Sequence, residues 1–191
     1  MHTEKKIKSE LKYDGNVIKV FLDTVELENS AIATRDVVRH KGASCIAPLT
    51  DNKELIFVRQ FRYPLAKEML ELPAGKLDSI EEDPYLCAVR ELKEETGCTA
   101  ENIKYMGDFI STAGFCDENI RLYMATGLKM GECDPDDDEF LDVVKIPLEK
   151  AVEMVMSGEI TDGKTQALVL KVYLSETLCS RTVEDACPYK L

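Results

Sequence analysis

Three glutamates, Glu91, Glu94 and Glu95, stand at i, i+3 and i+4 in the run Arg90-Glu91-Leu92-Lys93-Glu94-Glu95-Thr96-Gly97. At 3.6 residues per helical turn, that spacing lines their carboxylates along one stripe. Such a stripe repels itself, each like-charged pair costing roughly a few tenths of a kcal/mol. A hard divalent cation reverses the sign, because Mg2+ or Mn2+ takes oxygen ligands and cancels the repulsion. Many runs of good helix formers are merely solvated faces, so the flanking residues decide between the two readings.

The element that has to present these acids is a helix. Asp83-Pro84 opens it, with Asp as N-cap and Pro at the first helical position. Gly97 closes it in the place that favours a left-handed residue. Tyr85, Ala88, Val89, Leu92 and Thr96 are expected to pack inward on a neighbouring stripe, leaving the acids at the border of the core. Residues 10–28 alternate about Asp14-Gly15, with Val17, Ile18, Val20 and Leu22, and read as a β-hairpin. Strands follow at 36–49 and 54–62 across the turn Thr50-Asp51-Asn52-Lys53, then at 103–111, 121–126 and 140–146. Two helices are expected at 148–157 and 162–176. Strands and helices mix irregularly, which predicts an α/β or α+β sandwich around a mixed sheet. Residues 1–40 are expected to form a small antiparallel sheet of their own, residues 41–180 the main domain and residues 181–191 a tail.

At 191 residues and 45% hydrophobic composition the chain can bury a core without staples. A net charge of -12 repels phosphate backbones, so nucleic acid is not an expected partner. Any phosphate chemistry here must neutralise both substrate and protein with metal cations and a few placed arginines. Seven cysteines show no C-x-x-C pair and no zinc spacing. They read as reduced thiols, and with no apolar leader or membrane-length run the expected location is the cytoplasm, away from membranes.

Gly75, Glu82, Arg90-Glu91-Leu92, Glu94-Glu95 and Gly97-Cys98 together resemble the Nudix signature, G-x5-E-x7-R-E-U-x-E-E-x-G-U, where U is bulky and aliphatic. There are two departures. One extra residue lies between Gly75 and Glu82, so Glu81 keeps the glycine count and Glu82 the arginine count; Cys98 takes the final aliphatic place. Glu82 is preferred, because a loop absorbs an insertion whereas a shift within a helix would rotate every ligand. The stretches Phe57-Val58-Arg59-Gln60-Phe61-Arg62-Tyr63, Glu71-Leu72-Pro73-Ala74-Gly75-Lys76-Leu77-Asp78 and Ser111-Thr112-Ala113-Gly114-Phe115-Cys116-Asp117-Glu118 are similar to the ADP-ribose pyrophosphatase branch. In that branch a proline usually stands where this chain has Ala113.

The resemblance implies an α/β/α sandwich that hydrolyses the pyrophosphate bond of ADP-ribose to AMP and ribose 5-phosphate. The alternatives are another nucleoside diphosphate sugar, a dinucleotide or, more remotely, a non-catalytic binding module. It implies two or three Mg2+ ions, with Mn2+ as the alternative, held by Glu91, Glu95 and the Ala74 carbonyl with Glu94 assisting. Arg90 would hold the glutamates in place. Arg62 would contact the phosphates, Glu118 the ribose or diphosphate region, and Arg39 and Gly114 would also border the substrate. Residues 134–139 match the loop that closes over the metals, with Glu139 as ligand or general base and Asp137 as its alternate. A homodimer built through the N-terminal sheet is implied as well.

Overall fold

The chain breaks at Lys41-Gly42, and that break organises the architecture. Residues 36–49, expected as one strand, are split between two sheets, because Gly42 takes a positive φ of 98° that a strand cannot continue through. The computed structural model describes residues 2–133 and 140–181. Before the break, β1 (Lys5–Asp14), β2 (Ile18–Glu26) and β3 (Ile32–His40) form an antiparallel sheet in the order β1-β2-β3. The first hairpin turns at Gly15, whose N–H donates to the Ile18 carbonyl at 3.0 Å.

After the break, β4 (Ala43–Pro48) is buried along its whole length. It lies in a four-stranded sheet ordered β7-β4-β9-β8, parallel to β9 (Asn119–Lys129) and antiparallel to β7 (Ala74–Lys76), with β8 (Thr99–Ile110) at the edge. A second sheet runs β10-β5-β6, from β10 (Leu141–Pro147), β5 (Glu54–Arg62) and β6 (Lys67–Glu71). The sequence gives little sign of β6 or β7. Lys67-Glu68-Met69-Leu70-Glu71 is poor in β-branched residues, and three residues of β7 are too few to show a period.

Successive side chains of β4 point to opposite faces, so Cys45 and Ala47 join one core and Ile46 the other. The larger core packs Leu49, Leu55, Phe57 and Leu122 against α2 (Leu148–Ser157) and α3 (Gly163–Arg181), through Leu148, Ala151, Leu168 and Val172. The smaller seats α1 (Pro84–Thr96) by Ala88 and Leu92 on Ile46, Ile56 and Tyr123. Helices thus cover both faces of a mixed sheet, the expected α/β/α sandwich. Among the described residues no helix is long and apolar enough to cross a membrane. Cys45, Cys87, Cys98, Cys116 and Cys133 are free thiols.

The buried side of α1 departs from the expected stripe. Ala88, Leu92 and Thr96 are buried, but Tyr85 and Val89 are exposed, and Cys87, Glu91 and Glu95 take their share of the interior. The helix is rolled so that its acids face the backbone of β7 instead of the rim of the core. Val89, one 100° step beyond Ala88, then swings into solvent.

Candidate active site

Local sequence sets α1 firmly. The Asp83 carboxylate accepts the Tyr85 N–H at 2.9 Å, and Gly97 ends the helix at φ 68° with its N–H donated to the Lys93 carbonyl. The Ser44 hydroxyl donates to the Pro84 carbonyl at 2.7 Å, tying the first turn to β4. Glu91 and Glu94 thereby come to line a cavity of about 540 Å³ between α1, β7, the ends of β3 and β5, and the start of α3.

Glu91 and Glu95 are only 6% and 1% exposed, while Glu94 stands nearer solvent. Carboxylates are rarely buried so deeply without charged or hydrogen-bonding partners. The Ala74 N–H donates to Glu95 Oε2 at 3.1 Å. Arg90 Nη1 donates to Glu91 Oε1 at 2.6 Å and to Glu94 Oε2 at 3.1 Å, and Nη2 reaches the Lys76 carbonyl at 3.3 Å. Glu82 Oε1 lies 3.6 Å from the same guanidinium, so the glutamate counted from the arginine is the one beside it. Burial works against the Arg90 charge more than any one neighbour favours it, but Glu91, Cys87 and Glu94 together outweigh it and the pKa is raised. Cys87 donates weakly to the Gly75 and Lys76 carbonyls, and burial, with Glu91 adding to it, pushes its thiol up to about 11.

Gly75 leaves the room this arrangement needs, since a methyl group there would overlap the Glu91 carboxylate. Among the described residues no three His, Cys, Asp or Glu side chains are grouped so as to hold a metal ion by themselves. The donors that α1 and β7 do bring together are carboxylate and backbone carbonyl oxygens, the set a hard divalent cation takes. The residues therefore fit such an ion.

A second wall joins Arg62 to three charges that no local motif marks, Glu71, Asp162 and Lys164. Arg62 Nε and Nη2 donate to the two oxygens of Glu71 at 2.7 and 2.8 Å, so two of its N–H groups are already engaged. Lys164 Nζ also donates to Glu71, and to Asp162 Oδ2 at 3.0 Å. Asp162 in turn accepts the Thr165 N–H at 3.0 Å, and the Thr165 hydroxyl accepts the Leu72 N–H at 3.0 Å. Burial opposes the Glu71 charge, yet Arg62 and Lys164 prevail and hold its pKa at about 2. These contacts fasten α3 to the strand that leads into Ala74-Gly75. Arg62, Asp162 and Lys164 all line the cavity.

The third wall holds His40, Phe109, Ser111 and Glu118. Of the residues singled out from sequence, Ala74, Arg62, Arg90, Glu91, Glu94 and Glu118 line one cavity within a single chain, and Glu95 lies directly behind Ala74. Arg39 does not line it; its guanidinium is paired with Asp117 at 2.9 Å. Gly114 sits on the exposed loop before Glu118, off the cavity lining. Asp137 and Glu139 lie outside the described residues. His40, Glu71, Asp162 and Lys164 escaped the sequence reading, because none belongs to a local pattern and only the fold brings them to the cavity.

Residues 38–167 match the NUDIX domain. The chain is 40% identical over 177 residues to a "Methanol dehydrogenase activator" of Bacillus methanolicus, covering 92% of this chain and 95% of that one. It is 39% identical, with the same coverage, to an "ADP-ribose pyrophosphatase" of Bacillus subtilis (strain 168). Among solved structures it is similar to "Crystal structure of ADP compounds hydrolase", with a TM-score of 0.80 at 18% identity over 93% of this chain and 97% of that chain, which bears on the fold alone. With the domain match spanning most of the chain, Arg90, Glu91 and Glu94 of the signature lining one cavity and Glu95 bonded to Ala74 at its wall, the protein belongs to the Nudix family.

Proposed function

We propose that this protein hydrolyses the pyrophosphate bond of ADP-ribose, giving AMP and ribose 5-phosphate. The observation that carries the reading is the pair of buried carboxylates, Glu91 and Glu95, held against the backbone of Ala74-Gly75 at a cavity of the size small-molecule sites have. Similarity to the Bacillus subtilis pyrophosphatase supports the choice of substrate.

Glu91 and Glu95 would hold the cations, with Glu94 and the Ala74 carbonyl assisting. Two or three Mg2+ ions, with Mn2+ as the alternative, would draw charge from the diphosphate and acidify a water when bound. Arg90 keeps the carboxylates aimed through its hydrogen bonds to Glu91 and Glu94. Arg62, aligned by Glu71, would face a phosphate with the part of its guanidinium that Glu71 does not use. Glu139, or Asp137 in its place, would take the proton from the attacking water. The protein is proposed to work in the cytoplasm as a homodimer, with the sheet of residues 1–40 as the joining element.

A substrate panel tests the reading. ADP-ribose, other nucleoside diphosphate sugars and dinucleotides would be compared for kcat/KM with Mg2+ and with Mn2+. ADP-ribose is expected to lead, and preference for another compound by about tenfold or more would replace it as substrate. Because a 40% identical relative is named a methanol dehydrogenase activator, a second reading is action on such a dehydrogenase. Dehydrogenase rates measured with and without this protein would decide it.

A further inference from the structure

We propose that His40 is a substrate-binding residue that, with Glu118, reads a hydroxyl of the sugar on the far side of the diphosphate. The inference rests on the cavity being a nucleoside diphosphate sugar site and adds a residue to it.

The His40 side chain is 9% exposed and stands at the end of β3, where the N-terminal sheet meets the main domain. Its main-chain N–H donates to Asp117 at 2.9 Å, which fixes the backbone on that side. Its Nδ1 accepts the Gly42 N–H at 3.0 Å. A ring nitrogen that accepts carries no proton, so the neutral imidazole has its proton on Nε2. Nε2 has no hydrogen-bond partner among the described residues, although His40 borders the cavity. It is a donor held by the fold and used by none of the described residues.

Glu118 supplies the complement. Its Oε2 accepts the Ser111 hydroxyl at 2.8 Å, and its Oε1 lies 3.6 Å from His40 Nδ1. With the Nδ1 lone pair engaged by Gly42, no proton lies between the two, and Oε1 keeps its acceptor capacity. An N–H donor and a carboxylate acceptor on two residues that line the same cavity suit a hydroxyl, which accepts from one and donates to the other. A phosphate oxygen is excluded there by the Glu118 charge. The diphosphate belongs to the Glu91 and Arg62 walls, so the hydroxyl belongs to the group linked through it.

Two variants separate binding from structure, because each amide reproduces one ring nitrogen. His40→Asn puts an oxygen where Nδ1 accepts Gly42 and removes the Nε2 donor. His40→Gln places an N–H near Nε2 and gives up the Gly42 acceptor. With ADP-ribose, His40→Asn is expected to raise KM about tenfold with kcat nearly unchanged, whereas His40→Gln stays within about threefold of wild type. An ADP-linked sugar lacking the terminal hydroxyls should show no such split. Equal KM for wild type and His40→Asn, or better binding by Asn than by Gln, would overturn the assignment.

The wild-type protein offers a test that needs no variant. Only two histidines exist, so their 15N imidazole signals are easily told apart. Without metal, ADP-ribose should move the His40 Nε2–H signal and leave His2 in place; an unmoved signal at saturation sinks the proposal. Absence of turnover of any nucleoside diphosphate sugar by the wild-type enzyme would instead count against the parent reading.

Discussion

Glu95 is buried to 1% exposure and accepts the Ala74 N–H, so the change Glu95→Gln keeps size and hydrogen bonding while removing charge. Its kcat is expected to fall about 100-fold or more, with the unfolding midpoint held within a few degrees. Wild-type turnover at saturating Mg2+ would remove Glu95 from the ligand set. Gly75 makes a sharper case, because its part is to be empty. In Gly75→Ala the new methyl meets the Glu91 carboxylate and must displace it. Mn2+ affinity, read by electron paramagnetic resonance, is expected to drop about tenfold or more along with activity. Unchanged Mn2+ binding would show that the Glu91 position does not matter to the ion.

At the scale of elements, α1 is held by a short list of contacts. Leu92, 1% exposed among Ile46, Ile56 and Ala88, anchors it to the sheet. Leu92→Ala is expected to cost about 2–5 kcal/mol in urea unfolding, and a loss below about 1 kcal/mol would mean the helix is seated by other contacts. The joint between β5, β6 and α3 is electrostatic instead. Glu71 has its pKa lowered from the ordinary 4.5 to about 2. A depressed carboxyl contributes stability above its unfolded pKa and loses it as pH falls through the folded one. Wild type should therefore lose on the order of 3 kcal/mol from this group between about pH 4.5 and about pH 2. Glu71→Gln should be less stable at neutral pH and converge with wild type at the acid end. Parallel stability curves for the two proteins would show that the Glu71 charge is not the source.

For the whole molecule, the net charge of -12 means that a diphosphate approaches against the overall field and is held only where cations collect. The N-terminal sheet leaves Ile7, Leu11, Tyr13 and Val17 exposed, apolar area that a second copy of the chain would cover. Light scattering at micromolar concentration is expected to give twice the 21.5 kDa chain mass. A mass equal to one chain would return the sheet to the status of a free appendage.

What the residues state by themselves is whatever a local period can carry. The span of α1, its Asp83 and Gly97 caps, and the common stripe of Glu91, Glu94 and Glu95 follow from spacings within one helix, where geometry depends only on neighbours. So does the strand at 54–62, which β5 reproduces to the residue. Tertiary structure alone decided how α1 is rolled, which turned Val89 out and Glu91 in. It alone set Lys164 on Glu71 across 93 positions, placed β4 beside β9, and brought His40 to Glu118. Such meetings come from burial shared by distant segments and from buried charges that need partners, and no short stretch of chain carries a trace of either.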